Sequence, residues 1–188
     1  DSLLVAAGVS LGANVLLSHL GTRGSDSPIQ RAVAICPPID MHRCNKSLSE
    51  GLSRLYQIHL MRELRAAVAR KADIVQAAGY DVQAILRSRT FRRFDDLFTA
   101  QVFGHRDADH YYTECSTRPI LKQIKVPTWI LFARDDPFMH PSMVPQPEEL
   151  SAQVTFEVTE RGGHVGFIDG VASCWLDRRV PEILLAAR

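Results

Sequence analysis

The apolar run Ser2-Leu3-Leu4-Val5-Ala6-Ala7 passes directly into Gly8-Val9-Ser10-Leu11-Gly12, and Ala13-Asn14-Val15-Leu16-Leu17-Ser18-His19-Leu20 follows with helical periodicity up to Gly21. A strand, a Gly-x-Ser-x-Gly turn and a helix in immediate succession allow few backbone paths. The turn is sharp and lifts one side chain clear of the end of a sheet. Crowding around the serine falls on the positions two residues to either side, where glycine has no Cβ to collide. The helix predicted over 13–20 and stopped at Gly21 starts beside the serine. Its unpaired N–H groups and dipole favour negative charge developing there. Ser10 is therefore a candidate nucleophile, with the Leu11 N–H as a candidate oxyanion donor. The competing reading is an ordinary glycine-rich turn between a strand and a helix.

The rest of the chain reads as two kinds of sequence. Apolar runs at Leu3 to Ala7, Ala32 to Cys36, Thr128 to Ala133 and Val154 to Thr159 have the character of buried parallel strands. Pro37-Pro38 closes the second run and Pro127 introduces the third. With the helix after Ser10 they form a β-α-β succession, and hence an α/β fold with a mainly parallel sheet. Ala172 to Ala187 is predicted to supply a closing helix, kinked or restarted at Pro181. Between the strands, residues 40 to 118 contain no convincing strand. Leu48, Leu52, Leu55, His59 and Arg62 fall near helical spacing, and Phe91, Phe94 and Phe98 make an aromatic stripe expected to pack the insertion onto the core. The expected organisation is a core over 1–38, a helical cap insertion over 39–118, and the rest of the core over 119–188.

Composition narrows the function. At 188 residues, with 46% hydrophobic and 23% charged residues and a net charge of +1, the chain is globular and lacks the basic excess of a nucleic-acid binder. No apolar run is long enough to span a bilayer, and no signal-peptide pattern opens the chain. Cys36, Cys44, Cys115 and Cys174 form no Cys-x-x-Cys pair, which fits reduced thiols and a cytoplasmic location. The chain starts at Asp1 rather than Met, as expected of a piece of a longer protein.

A nucleophilic serine needs a base, and the base needs an orienting acid. The run Thr128 to Ala133 leads into Arg134-Asp135-Asp136-Pro137, a carboxylate just past the carboxyl end of a strand. The last run leads into Glu160-Arg161-Gly162-Gly163-His164-Val165-Gly166-Phe167, where glycines let a loop carry a histidine back over the sheet. The order Ser10, aspartate, His164 is that of the α/β-hydrolases. Measured from the strand end, Asp136 is the expected acid and Asp135 the alternative; otherwise Asp135 would cap the following turn. Neither a cofactor nor a metal is required. His105, Asp107, Asp109 and His110 could be read as metal ligands, but more often mark a helix start with Asp107 or Asp109 at the N-cap. His140 reads as a surface histidine, Cys36 and Cys44 as plain thiols, and Arg54 and Tyr56 as cap residues facing a substrate.

Several further segments carry a resemblance. These are Gly8 to Asn14, Gly51-Leu52-Ser53-Arg54-Leu55-Tyr56, Phe94-Asp95-Asp96-Leu97, Asp109-His110-Tyr111-Tyr112, Asp135-Asp136-Pro137-Phe138-Met139 and Gly162 to Phe167. Together they resemble the YheT-like α/β-hydrolases over nearly the whole chain. The resemblance implies a serine carboxylester hydrolase for short- to medium-chain acyl esters or glycerolipids, with a triad of Ser10, Asp136 and His164. It also implies strands, and a loop with a second oxyanion donor, ahead of the Gly8 to Gly12 turn. Those strands are missing from this sequence, so the first strand is expected to lie at an apolar sheet edge. Thioesterase or lipase action on the same three residues, and a catalytically silent remnant, are the alternatives.

Overall fold

A computed structural model describes residues 2–170 and 173–186. The chain divides into two compact units, Asp1–Asp40 with Ser116–Arg188, and Met41–Cys115.

In the first unit, β1 (Val5–Val9), β2 (Arg31–Ile35), β3 (Thr128–Ala133) and β4 (Val154–Thr159) form one sheet in the order β1-β2-β3-β4. Every pairing is parallel, with Val5 to Val9 matched against Arg31 to Ile35. The first strand thus starts two residues later than its apolar run suggested and extends to the residue before Ser10. The register with β2 fixes that shift. Ala32, Val33, Ala34 and Ile35 are all buried, as a central parallel strand covered on both faces should be. Among the described residues β1 lies at the sheet edge, and Val9 is half exposed.

Helix α1 (Leu11–Arg23) packs against β1 and β2 and buries Ala13, Leu17 and Leu20 completely. It runs past Gly21, the expected stop. A Cβ at Gly21 would come within 2.8 Å of the Ile120 side chain, so this glycine serves close packing rather than termination. The helix ends instead at Gly24, whose φ of 53° suits glycine and whose N–H donates to the Leu20 carbonyl.

The second unit is helical throughout: α2 (Met41–Leu48), α3 (Ser53–Arg70), α4 (Ala72–Ala77), α5 (Val82–Arg87), α6 (Phe91–Phe94), α7 (Ala100–Val102) and α8 (Ala108–Cys115). A wider π-type turn at Asp95–Thr99 joins α6 to α7. Met61, Val68, Val75, Val82, Ile85 and Phe94 form its core, with Phe91 and Phe98 packed against them. The aromatic stripe therefore fills the insertion's own interior. On α3 the buried face is Ser53, Gln57, Met61 and Val68, while Leu52 and Leu55 are exposed. Gln57 can be buried because its amide is satisfied: Nε2 donates to the Leu48 carbonyl and Oε1 accepts from the Phe91 N–H.

The structural boundaries fall two or three residues inside the expected 39–118. Ile39 is fully buried and its carbonyl accepts the Arg118 N–H at 2.9 Å, while Thr117 Oγ1 donates to Asn14 Oδ1 at 2.7 Å. These contacts tie both ends of the insertion's stem to the sheet unit. The closing helix, α9 (Trp175–Leu185), packs against β1 and β2 and contains Pro181. The ends predicted for it, Ala172 and Ala187, lie outside the described residues. Among the described residues no helix is long and apolar enough to cross a membrane.

Candidate active site

The site assembles at the carboxyl ends of β1, β3 and β4, all within the first unit. At the end of β1 the backbone reverses at Ser10, with φ 52° and ψ −123°, and the Ser10 N–H donates to the Ile35 carbonyl at 2.8 Å. A non-glycine residue at positive φ costs of the order of 1–3 kcal/mol and persists only where its surroundings impose it. Here the imposition comes from the strand pairing below and from α1 above, whose Ala13 and Asn14 amides donate to the Ser10 carbonyl. The turn places the Leu11 N–H in the first turn of α1, where helix amides have no partner within the helix.

Only one of the flanking glycines is sterically required. A Cβ at Gly8 would lie 2.7 Å from the Ala13 Cα and 2.8 Å from the Gly12 carbonyl oxygen. A Cβ at Gly12 would meet nothing within 4 Å. The symmetric crowding expected from the sequence is thus confined to the strand side.

The last loop brings His164 to Ser10. Gly162 is obligatory there, since a Cβ would sit 2.7 Å from the Phe167 ring and 2.9 Å from the Ala133 Cβ, and Gly163 takes φ 57°. His164 Nε2 lies 2.8 Å from Ser10 Oγ, and Nδ1 lies 2.8 Å from Asp136 Oδ2. The Asp136 side chain is fully buried, and its other oxygen accepts the Phe138 N–H at 2.8 Å. The Phe138 ring stands 4.2 Å from the imidazole, centroid to centroid, and limits its rotation.

Asp135 and Asp136 are thereby separated by environment. Asp135 is exposed and accepts the Gly163 N–H at 2.8 Å, bracing the histidine loop from outside. Asp136 turns inward and meets the imidazole. One-residue spacing in the sequence becomes opposite orientations at the strand end.

A profile of the alpha/beta hydrolase fold matches residues 2–171. The chain belongs to the alpha/beta hydrolase fold family. Over 95% of its length it is 42% identical to YheT of Escherichia coli, of which it covers 54%. It is 31% identical to phospholipase ABHD3 of Homo sapiens, covering 97% of this chain and 46% of that protein. The chain therefore spans about half the length of these curated relatives. Among solved structures, the Pyrococcus furiosus esterase Pf2001 matches 98% of this chain and 53% of its own at a TM-score of 0.50 and 19% identity, a likeness of fold.

The other residues singled out from the sequence fall elsewhere in this alpha/beta hydrolase. Asp107 Oδ1 accepts the His110 N–H at the start of α8, as an N-cap does, and Asp109 forms a two-pronged pair with Arg92 at 2.6 Å. His105 Nε2 faces the Cys115 sulfur at 3.8 Å. His140 caps the short Pro141–Met143 turn through Nδ1. Arg54 and Tyr56 are exposed on α3 of the second unit, and Cys44 is half-buried at α2. Among the described residues one group of three metal-ligating types has donor atoms within 4.8 Å of one another: Cys36, Asp136 and His164. Both ring nitrogens of His164 are already hydrogen-bonded, one to Ser10 and one to Asp136.

Two further residues border the site: Phe138 over the imidazole, and Cys36, which is the buried free thiol that the sequence suggests. Cys36 follows β2 with φ 47° and is fully buried. Its position at a strand end, just before Pro37-Pro38, was the available signal.

Proposed function

We propose that this chain carries the nucleophile, base and acid of a serine esterase acting on carboxylic esters. The observation that carries this reading is the continuous hydrogen-bonded line from Ser10 Oγ through the imidazole of His164 to the buried Asp136 carboxylate, each link 2.8 Å. Asp136 accepts a hydrogen bond from Nδ1–H, which keeps the proton on Nδ1 and leaves Nε2 as a base directed at the serine. The Ser10 proton moves to Nε2 as Oγ attacks the ester carbonyl carbon, and the carbonyl π pair moves onto oxygen. The Leu11 N–H and the dipole of α1 stabilise that oxyanion. Collapse breaks the bond to the alcohol, which leaves with the proton from His164. Water then attacks the acyl-enzyme by the same route and releases the acid and free Ser10. These steps use only side chains and backbone groups of the first unit.

Acyl esters, including those of acylglycerol type, are the substrate class this reading favours, because a relative at 31% identity is named a phospholipase. A fluorophosphonate probe tests the proposal. Labelling of the wild-type chain that vanishes in Ser10→Ala is the expected result. Folded wild-type protein that takes no label, or Ser10→Ala protein that still does, would overturn it.

A further inference from the structure

Cys36 is a buried nucleophile for which the esterase cycle has no use. Its thiol is fully inaccessible, which removes it from any reaction with solutes. The backbone nevertheless adopts φ 47° there, a conformation that side chains other than Gly, Asn and Asp seldom take. Its own N–H still pairs with the Leu131 carbonyl at 2.8 Å, so the sheet ladder continues through the residue that bends away. The bend brings Sγ within 4.8 Å of both the Asp136 carboxylate and a ring nitrogen of His164. Both groups are buried at this separation, so the Asp136 carboxylate is the charged acceptor that the thiol faces.

We infer that Cys36 is a positioning residue: its S–H donates a third hydrogen bond to the Asp136 carboxylate and holds that carboxylate in line with His164. The inference rests on the reading of Asp136 as the acid. A carboxylate has about four acceptor positions. The Phe138 N–H and the His164 Nδ1–H occupy two of them, one on each oxygen. Shut off from water and within 4.8 Å of the carboxylate, the thiol hydrogen has the open acceptor positions of Asp136 to turn to. Burial first, then the charge of Asp136, push the thiol well above its ordinary range, so it keeps the proton it donates. The ionisable groups facing it are Asp136, Asp135 and His164. The left-handed backbone turn is what delivers the thiol to this point.

Cys36→Ala removes the donor and Cys36→Ser keeps one. The first readout is the downfield imidazole Nδ1–H proton resonance of His164 in the intact chain. It should move in Cys36→Ala, because the carboxylate then binds that proton with one competitor fewer. It should stay close to its wild-type position in Cys36→Ser. The second readout is ester turnover: kcat should fall about fivefold in Cys36→Ala with KM unchanged, and recover in Cys36→Ser. A wild-type resonance in Cys36→Ala would overturn the inference. So would a Cys36→Ser variant as impaired as Cys36→Ala, which would mark a packing role. The resonance is read without turnover, so failure of the wild-type chain to take a fluorophosphonate would sink the esterase proposal and still leave Cys36 decided.

Discussion

Replacing Asp136 with asparagine changes one atom in a fully buried side chain, and the hydrogen-bond inventory around it dictates the consequence. One oxygen accepts the Phe138 N–H and the other faces His164 Nδ1. An asparagine must keep its carbonyl toward the Phe138 N–H, because an NH2 there would place donor against donor. The NH2 then points at Nδ1, which has to become an acceptor. The imidazole proton shifts to Nε2, 2.8 Å from Ser10 Oγ, and the base that should receive the serine proton already holds one. A tautomer fixed in the wrong sense costs about four orders of magnitude in a serine hydrolase, or about 5.4 kcal/mol of transition-state stabilisation. Asp135→Asn is the control. Its side chain is exposed, and the asparagine carbonyl can still accept the Gly163 N–H, so activity should stay within about fivefold of wild type. The assay is the second-order rate of fluorophosphonate labelling, with hydrolysis of a p-nitrophenyl ester beside it and a thermal melt to check folding. Asp136→Asn protein that labels within about tenfold of wild type would refute the tautomer argument. An Asp135→Asn loss larger than that of Asp136→Asn would exchange the two roles.

Two further perturbations probe the scaffold. Gly8→Ala forces a Cβ against backbone atoms of α1 and should destabilise the chain by about 3 kcal/mol, whereas Gly12→Ala meets open space and should change stability by less than about 1 kcal/mol; urea unfolding separates them. The acid side of the pH–stability profile should depend on Glu149. Hydrogen bonds from Arg118, and then from the Gln146 N–H, hold its carboxyl at about 2, below the ordinary 4.5. A lowered carboxyl pKa contributes stability above the ordinary value, and that contribution is lost as pH falls from 4.5 toward 2. The pair is about a third exposed and screened, so about 1 kcal/mol is at stake, and Arg118→Met should flatten the profile by that amount in urea midpoints compared across the acid range.

Much of this was legible from local pattern. Three of the four strands carry apolar runs whose place follows from their own residues, two of them marked by flanking prolines. Ser10, the Asp135-Asp136 pair and His164 were legible as candidates because each sits beside a strand end marked by Gly or Pro, and a parallel sheet brings such ends to one edge. The metal-like group His105 to His110 was legible as a helix start because capping depends on neighbours within three residues. Less local features were misplaced. Gly21 looked like a helix stop because its packing partner, Ile120, lies far along the chain. Leu52 and Leu55 fall near helical spacing with Leu48 yet are exposed, and a buried position on α3 belongs to Gln57, whose partners at Leu48 and Phe91 come from flanking segments.

The sequence by itself determined the α/β order, the helical insertion and the three strand ends at which chemistry could be placed, because these follow from periodicity and turn residues over a few neighbours. Only the tertiary structure decided which of two adjacent aspartates turns inward to His164, which glycine of the serine turn is sterically required, and that Cys36 faces the Asp136 carboxylate. The aspartate depends on a loop returning from 28 residues along the chain, Cys36 on the end of another strand, and the glycine on the path the turn takes into α1; spacing along the chain carries no record of these three-dimensional approaches.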